Sequence, residues 1–329
     1  WSGDISQPAN GNPGEIIIML NSRAGRTALA SVAVVLLASA CGGDGGSSAT
    51  SRVQVSLTDT PIEDADNVVV SVSGVAFKPE GSAPEVVQNF APRSIDLLQY
   101  QNGRTAILLQ DTPMQAGRYQ WLRLIIDTQP VVRDSYIVIN GNECELNVPS
   151  GAETGLKMNR PIDVPADGSL ALTIDFDLRK SVHAPPGQAS GACTTGYVLR
   201  PTLRLVNDAN VGAFDGTVSF EAGAVPAGCK PNVYVYEGTV TPDDMEETAA
   251  ASPDVDPLVV VGVTIPDGST SGTYRAAFIP AGSYTAAFTC DDDTNDDQSL
   301  VFVPPAGVAV AVQNNVISTV NFTVPVPAP

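Results

Sequence analysis

Histidine is almost missing from this 329-residue sequence, where His183 stands alone. Tryptophan is confined to Trp1 and Trp121, and lysine and arginine together number 17 against 36 acidic residues. Each scarcity closes off a class of function. One histidine and no Cys-x-x-Cys pair leave no usual ligand set for zinc. A net charge of −19 repels nucleic acid and anionic lipid headgroups, and leaves a metal cation or a basic partner as the attraction, beside the simpler reading of a solvated acidic exterior. A carbohydrate platform of exposed rings would have only Trp121 to build on, and Trp121 lies in an alternating strand where core packing is expected. No G-x-S-x-G elbow, H-E-x-x-H pair or P-loop occurs, and His183 sits in the loop-like stretch 181–187 as a bystander. The sequence therefore does not predict an enzyme.

Long apolar runs are also lacking. The longest, Thr27 to Ala40, falls short of the roughly 20 residues that span a bilayer comfortably. Its setting gives it meaning. Met19 opens a short basic stretch with Arg23 and Arg26, and the run ends Leu36-Leu37-Ala38-Ser39-Ala40-Cys41. A basic start, an apolar core of this length and small residues before a cut are the secretory pattern. A cysteine at the first mature position makes it a bacterial lipoprotein signal over residues 19–40, with Cys41 as the lipid site; an ordinary secretory peptide cut before a structural cysteine is the alternative. At roughly 0.8 kcal/mol per buried methylene, several acyl chains anchor durably where one would not. Residues 42–52 form a Gly/Ser-rich tether that lifts a domain off the membrane. Gly42 is not the aspartate that holds lipoproteins at the inner membrane of enteric bacteria, which favours the outer membrane. Residues 1–18 begin with Trp1 and carry no signal character, and are read as upstream translated sequence.

The remainder has room for two ordinary domains, 53–207 and 208–329, and charge is divided unevenly between them. The first holds 12 basic and 17 acidic side chains; the second holds 2 basic (Lys230, Arg275) and 16 acidic. Besides Cys41 there are Cys144 and Cys193 in the first, Cys229 and Cys290 in the second. An exported chain meets an oxidising compartment, so disulfides are expected. Three connectivities exist, and the one that stays within domains, 144–193 with 229–290, is favoured. Each bridge would close a loop of about 50 to 60 residues, on the order of 4 kcal/mol in the chain-entropy view.

Period-two runs dominate the pattern: Val53-Gln54-Val55-Ser56-Leu57, Leu170-Ala171-Leu172-Thr173-Ile174-Asp175-Phe176, Val233-Tyr234-Val235-Tyr236 and the stretch 316–324. Such runs separated by Gly, Pro, Asn and Asp are half-buried strands. Asn102-Gly103, Asn140-Gly141, Asp167-Gly168, Asp215-Gly216 and Asp267-Gly268 read as tight turns. Helix is limited to a short piece around Ile95 to Leu98. The expected fold is all-β, two antiparallel sandwiches of transthyretin-like or immunoglobulin-like type. The two halves share a faint echo, Gln115-Ala116-Gly117-Arg118-Tyr119 and Pro280-Ala281-Gly282-Ser283-Tyr284, each before a strand. It fits homologous domains or shared turn chemistry.

The first half resembles a specific family. Leu57-Thr58-Asp59-Thr60-Pro61 followed by Asp64-Ala65-Asp66-Asn67-Val68-Val69-Val70 looks like the opening of the bacterial domain-of-unknown-function 4382 family. The likeness continues through Ile95-Asp96-Leu97-Leu98, residues 116–124, Thr154-Gly155-Leu156-Lys157, Asp175-Phe176-Asp177 and Leu199-Arg200-Pro201, and covers most of 53–207 in order. The resemblance implies a β-rich module, often on exported lipoproteins, with no assigned activity and no catalytic residues to carry over. The second half is similar only in a general way to carboxypeptidase-regulatory-like or immunoglobulin-like sandwiches.

Among candidate sites, Asp291, Asp293, Asn295 and Asp297 have the alternating oxygen ligands that open a calcium loop. Asp296 stands where an EF-hand has glycine and Phe302 where it has glutamate, so a strand-connecting calcium loop or an acidic hairpin tip are the readings. Asp243, Asp244, Glu246, Glu247, Asp254 and Asp256 read as a solvated loop. Asp59, Asp64 and Asp66 read as turn and capping residues rather than metal ligands. Asp175 and Asp177 share one face of a strand, suited to acid–base work in principle but expected to pair with Arg179 or Lys180 or to face water. The expected whole is a membrane-anchored envelope lipoprotein, a non-catalytic binding or assembly module with an unknown protein or glycan partner. Calcium-dependent adhesion or glycan binding is the alternative, and an envelope hydrolase a distant third.

Overall fold

The computed structural model describes residues 49–60, 62, 65–127, 134–149, 154–188, 192–221, 223–245, 255–293 and 299–326. Cys41 and the apolar run before it lie outside the described residues, as do Asp64, Glu246, Glu247, Asp254, Asn295 and Asp297. Among the described residues no helix is long and apolar enough to cross a membrane.

The first sandwich is built from β1 (Thr50–Thr60), β2 (Asn67–Pro79), β3 (Val86–Asp96), β4 (Ala106–Gln115), β5 (Gly117–Ile126), β6 (Tyr136–Ile139), β7 (Asn142–Asn147), β8 (Leu156–Met158), β9 (Ile162–Val164) and β10 (Ser169–Asp177). A single helical turn, α1 (Leu178–Ser181), leads to β11 (Val182–His183), β12 (Tyr197–Leu199) and β13 (Thr202–Asn207). The second is built from β14 (Val211–Phe220), β15 (Asn232–Glu237), β16 (Val259–Gly262), β17 (Ser271–Pro280), β18 (Gly282–Thr289), β19 (Val303–Val312), β20 (Ile317–Thr319) and β21 (Phe322–Val324). The helical piece expected near Ile95 is a 3-10 turn at Leu97–Tyr100.

The strand order β13-β10-β1-β4 forms one sheet of the first sandwich and faces a larger sheet centred on β2 and β5. Their inner faces meet in one core, in which Val53, Val55 and Leu57 of β1 oppose Val68, Val70, Val72, Val75 and Phe77 of β2. Period-two alternation thus puts one set of side chains inside, as a pleated strand requires. In the second sandwich β14 pairs with β17, β20 and β21, facing the sheet β16-β15-β18-β19 around Phe214, Val235, Phe288 and Phe322.

Most pairings are antiparallel, but β1 with β10, β7 with β12, and β14 with β20 and β21 run parallel. Pairing direction depends on which distant strands meet, information that local alternation does not carry. The two sandwiches repeat one plan. A first strand (β1, β14) lies between an antiparallel strand (β4, β17) and a parallel one (β10, or β20 with β21). The chain then crosses to the other sheet (β5, β18), which pairs with β2 or β15. Each crossing strand carries a register shift with a left-handed residue, Asp111 at φ 46° in β4 and Phe278 at φ 58° in β17. At each corner the tyrosine of the sequence echo donates to the carbonyl four residues back: Tyr119 to Gln115 at 2.9 Å and Tyr284 to Pro280 at 2.7 Å.

Three local expectations are corrected. Asp215-Gly216 is not a turn but lies inside β14; a Cβ on Gly216 would stand 1.7 Å from the Val320 carbonyl oxygen, so glycine is there for close backbone approach. That approach also splits the stretch 316–324 into β20 and β21. Trp121 is not in the core: Leu122 and Leu124 fill it, and Trp121 lies half-buried on the other face beneath Lys157 Nζ, 4.4 Å from its ring centre. His183 stands in the two-residue strand β11 instead of a loop.

Candidate functional site

The chemistry of the described residues gathers where the outer face of β10, β13 and β1 meets the second sandwich. Ile174 and Phe176 point into the core, so Asp175 and Asp177 lie on the opposite face, as alternation demands. That face is not open to water. Asp175 is buried and pairs with Arg204 of the neighbouring strand at 2.5 Å, while Arg204 Nη1 donates 3.0 Å across to the Phe278 carbonyl of the second sandwich. The left-handed turn at Phe278, uncommon for a bulky residue, lies at the bulge whose carbonyl Arg204 takes up. Arg204, two positions into β13, is the partner that sequence spacing did not single out, because it becomes a neighbour only through β10–β13 pairing.

Asp177 ends β10 and caps α1, accepting from Lys180 N at 3.2 Å. Burial, first, and then the Asp175 and Asp256 carboxylates push its pKa up to about 6, against the pull of the Lys180 backbone N–H and ammonium. The cap aims Arg179 and Lys180 at the second sandwich. Lys180 Nζ meets Asp256 Oδ2 at 2.5 Å. Arg179 enters a closed pocket: its Nη1 donates to the Tyr234 hydroxyl at 2.8 Å and lies 3.4 Å from Asp293 Oδ2. Tyr234 in turn donates to the same Asp293 oxygen at 2.7 Å, and Met245 N donates to it at 3.1 Å. Burial holds the Tyr234 phenol far above its ordinary pKa. Tyr234, Tyr236 and Phe302 form an aromatic floor under this pocket on the outer face of β15.

One aspartate in each acidic stretch, Asp244 and Asp293, departs from the solvated reading, while Asp256 and Asp292 are exposed. Asp244 is 2 % exposed and Met245 1 %, folded over Tyr236, whose hydroxyl bonds the Asp243 backbone. Asp293 is buried against Arg179, while Asp291 accepts from Val301 N at 2.6 Å. A calcium ion at this loop would compete with a guanidinium for Asp293. Among the described residues no group of three or more acidic, histidine or cysteine side chains is placed to hold a metal.

Asp59 presents a further buried carboxyl. It follows Leu57 on the inner face of β1; among the described residues neither oxygen meets a partner at full hydrogen-bonding geometry, though the Gln101 side chain and the Thr60 backbone act on it to favour the charged form. Burial, then the nearby Asp175 and Asp177, hold its pKa well above the usual carboxylate range. Asp66 accepts from Gly141 N at 2.8 Å and so ties the start of β2 to the β6–β7 turn. Disulfides join Cys144 to Cys193 and Cys229 to Cys290.

The family described as Domain of unknown function (DUF4382) matches residues 50–201. That match covers a little under half of the sequence. The DUF4382 match ends just before β13, yet β13 completes the outer sheet and supplies Arg204, so the folded unit runs a strand further. Comparison with curated proteins finds no match. Solved structures that align with this chain include a leucine-rich repeat protein from Bacteroides thetaiotaomicron (12 % identity, 84 % of this chain and 26 % of that one, TM-score 0.21). They also include the minor pilin of Streptococcus agalactiae (11 %, 84 % and 97 %, 0.19) and the shaft pilin of Lactobacillus rhamnosus GG (9 %, 85 % and 100 %, 0.21). The chain spans about a quarter of the first of these. At such TM-scores the alignments carry no functional argument.

Proposed function

We propose that this protein is a lipid-anchored component of the bacterial cell envelope, held at the outer membrane through Cys41, whose two sandwiches serve as a non-catalytic binding or assembly module. The observation that carries the reading is the order of segments: an apolar run ending in Leu36-Leu37-Ala38-Ser39-Ala40-Cys41, a Gly/Ser tether, and then β1 starting at Thr50. A lipid at Cys41 followed by a Gly/Ser-rich tether would display the folded part at the membrane. The side chains that resembled acid–base machinery are taken up in structural contacts. Asp175 is spent on Arg204 and Asp177 on capping α1. Calcium-dependent adhesion would require Asp293 to leave Arg179.

Cell fractionation of Cys41→Ala with labelled fatty acid tests the anchor. Wild type should sediment with membranes and carry label; the variant should be soluble and unlabelled. A variant that stays in the membrane fraction would refute anchoring at Cys41.

A further inference from the structure

The second sandwich has two basic residues among its many acids, and one of them, Arg275, lines a cleft of about 670 Å³ to which both sandwiches contribute. Arg104, from the loop before β4, also lines it. Among the described residues neither guanidinium forms an ion pair; Arg104 Nε reaches the Gln101 carbonyl at 3.4 Å. Two amides add donors. Asn102 Oδ1 accepts from Arg275 N, and Asn321 Oδ1 accepts from Thr217 N and Oγ1, which leaves the Nδ2 group of each uncommitted. Asp215 is the one carboxylate of the lining.

The cleft is built, not incidental. Asn102 and Gly103 both take left-handed backbone, at φ 56° and 78°, which brings the loop down onto Arg275. A Cβ on Gly103 would lie 3.3 Å from Arg275 Cδ, so the loop packs along that side chain. Gly216 lets the Val320 carbonyl approach and so sets Asn321 beside Thr217. The Tyr274 hydroxyl is tied to Val320 O at 2.7 Å and fixes the floor.

We propose that this cleft binds an acidic saccharide, a chain of uronate-type sugars, with Arg104 and Arg275 taking the carboxylates. Two forked guanidiniums match carboxylates in geometry, and the amide donors with Asp215 as acceptor suit ring hydroxyls. The volume lies within the range of small-ligand sites, while the lining of Thr, Asn, Asp, Arg and Gly, with Tyr274 as its one aromatic, lacks the apolar pockets that anchor peptide side chains. The overall charge of −19 does not forbid an anion here, since at physiological ionic strength screening confines distant charges to about 8 Å. This inference rests on the binding-module reading and names its ligand class.

Calorimetric titration of the full lipoprotein in neutral detergent tests it, with tetragalacturonate as probe and a neutral tetrasaccharide and inorganic phosphate as comparisons. Saturable binding of the uronate, at least tenfold weaker binding of the neutral sugar and of phosphate, and a tenfold or greater loss in both Arg275→Ala and Arg104→Glu are expected. Arg104 is exposed and its replacement leaves packing intact, so the second variant covers the case in which the first misfolds. No saturable uronate binding, equal binding of the neutral sugar or of phosphate, or affinity unchanged in Arg104→Glu would overturn the proposal. Those failures leave the anchor intact, because membrane release in Cys41→Ala is read separately.

Discussion

The Arg179 guanidinium lies 3.4 Å from the Asp293 carboxylate with the two side chains 2 % and 0 % exposed, and the Tyr234 hydroxyl bonds to both. The two charges come from different sandwiches and would be costly to bury apart. Removing one partner of a buried pair costs about 3–5 kcal/mol, whereas replacing both by apolar groups is often neutral. Arg179→Met and Asp293→Leu should each lower the unfolding free energy measured in urea by an amount in that range, and the double variant should recover most of it. Simply additive losses in the double variant would show that the pair contributes no mutual stabilisation.

Asp177 gives a pH dependence with a definite sign. Its folded pKa, raised to about 6, lies above the unfolded value of 3.8, so folding favours the protonated acid. Its contribution is most favourable below pH 3.8 and is lost as pH rises through 6. Asp177→Asn keeps a capping oxygen for Lys180 N and removes the buried charge. The variant should melt higher than wild type at pH 7.5 and equal to it near pH 4. A variant that melts lower at pH 7.5 would mean that attraction to Lys180 outweighs burial.

The paired corners make a symmetrical forecast. Tyr119 and Tyr284 each donate to a carbonyl four residues back where the chain crosses between sheets. Tyr119→Phe and Tyr284→Phe should each cost about 1 kcal/mol in chemical denaturation, the net value of one such bond. A loss confined to one of them would show that the shared geometry does not carry shared stability.

Calcium has a direct test at the 291–297 loop. Because Asp293 already accepts from Tyr234 and Met245 N and faces Arg179, millimolar calcium should move the melting temperature by less than about one degree relative to chelator. A rise of several degrees that disappears in Asp291→Ala would place a cation there.

Local chemistry explains what was legible in the chain itself. Alternation along β1, β10 and β15 marked the strands, because side chains of a pleated strand point to opposite faces with period two. Asn102-Gly103 and Asn140-Gly141 marked true left-handed turns, because those residues take positive φ at least cost. The likeness of Leu57-Thr58-Asp59-Thr60-Pro61 and Asp175-Phe176-Asp177 to a known family agrees with the match at 50–201. Even the faint Gly-x-Tyr echo corresponds to two matching corners. Tertiary structure alone decided the rest. Which strands run parallel, that Gly216 serves close approach rather than a turn, that Arg204 answers Asp175, and that Arg179 is buried with Asp293 all depend on segments far apart in sequence. A charged residue reads as solvated until another part of the chain covers it. Whether an aspartate meets water or a guanidinium is a property of the assembled faces, not of its neighbours along the backbone.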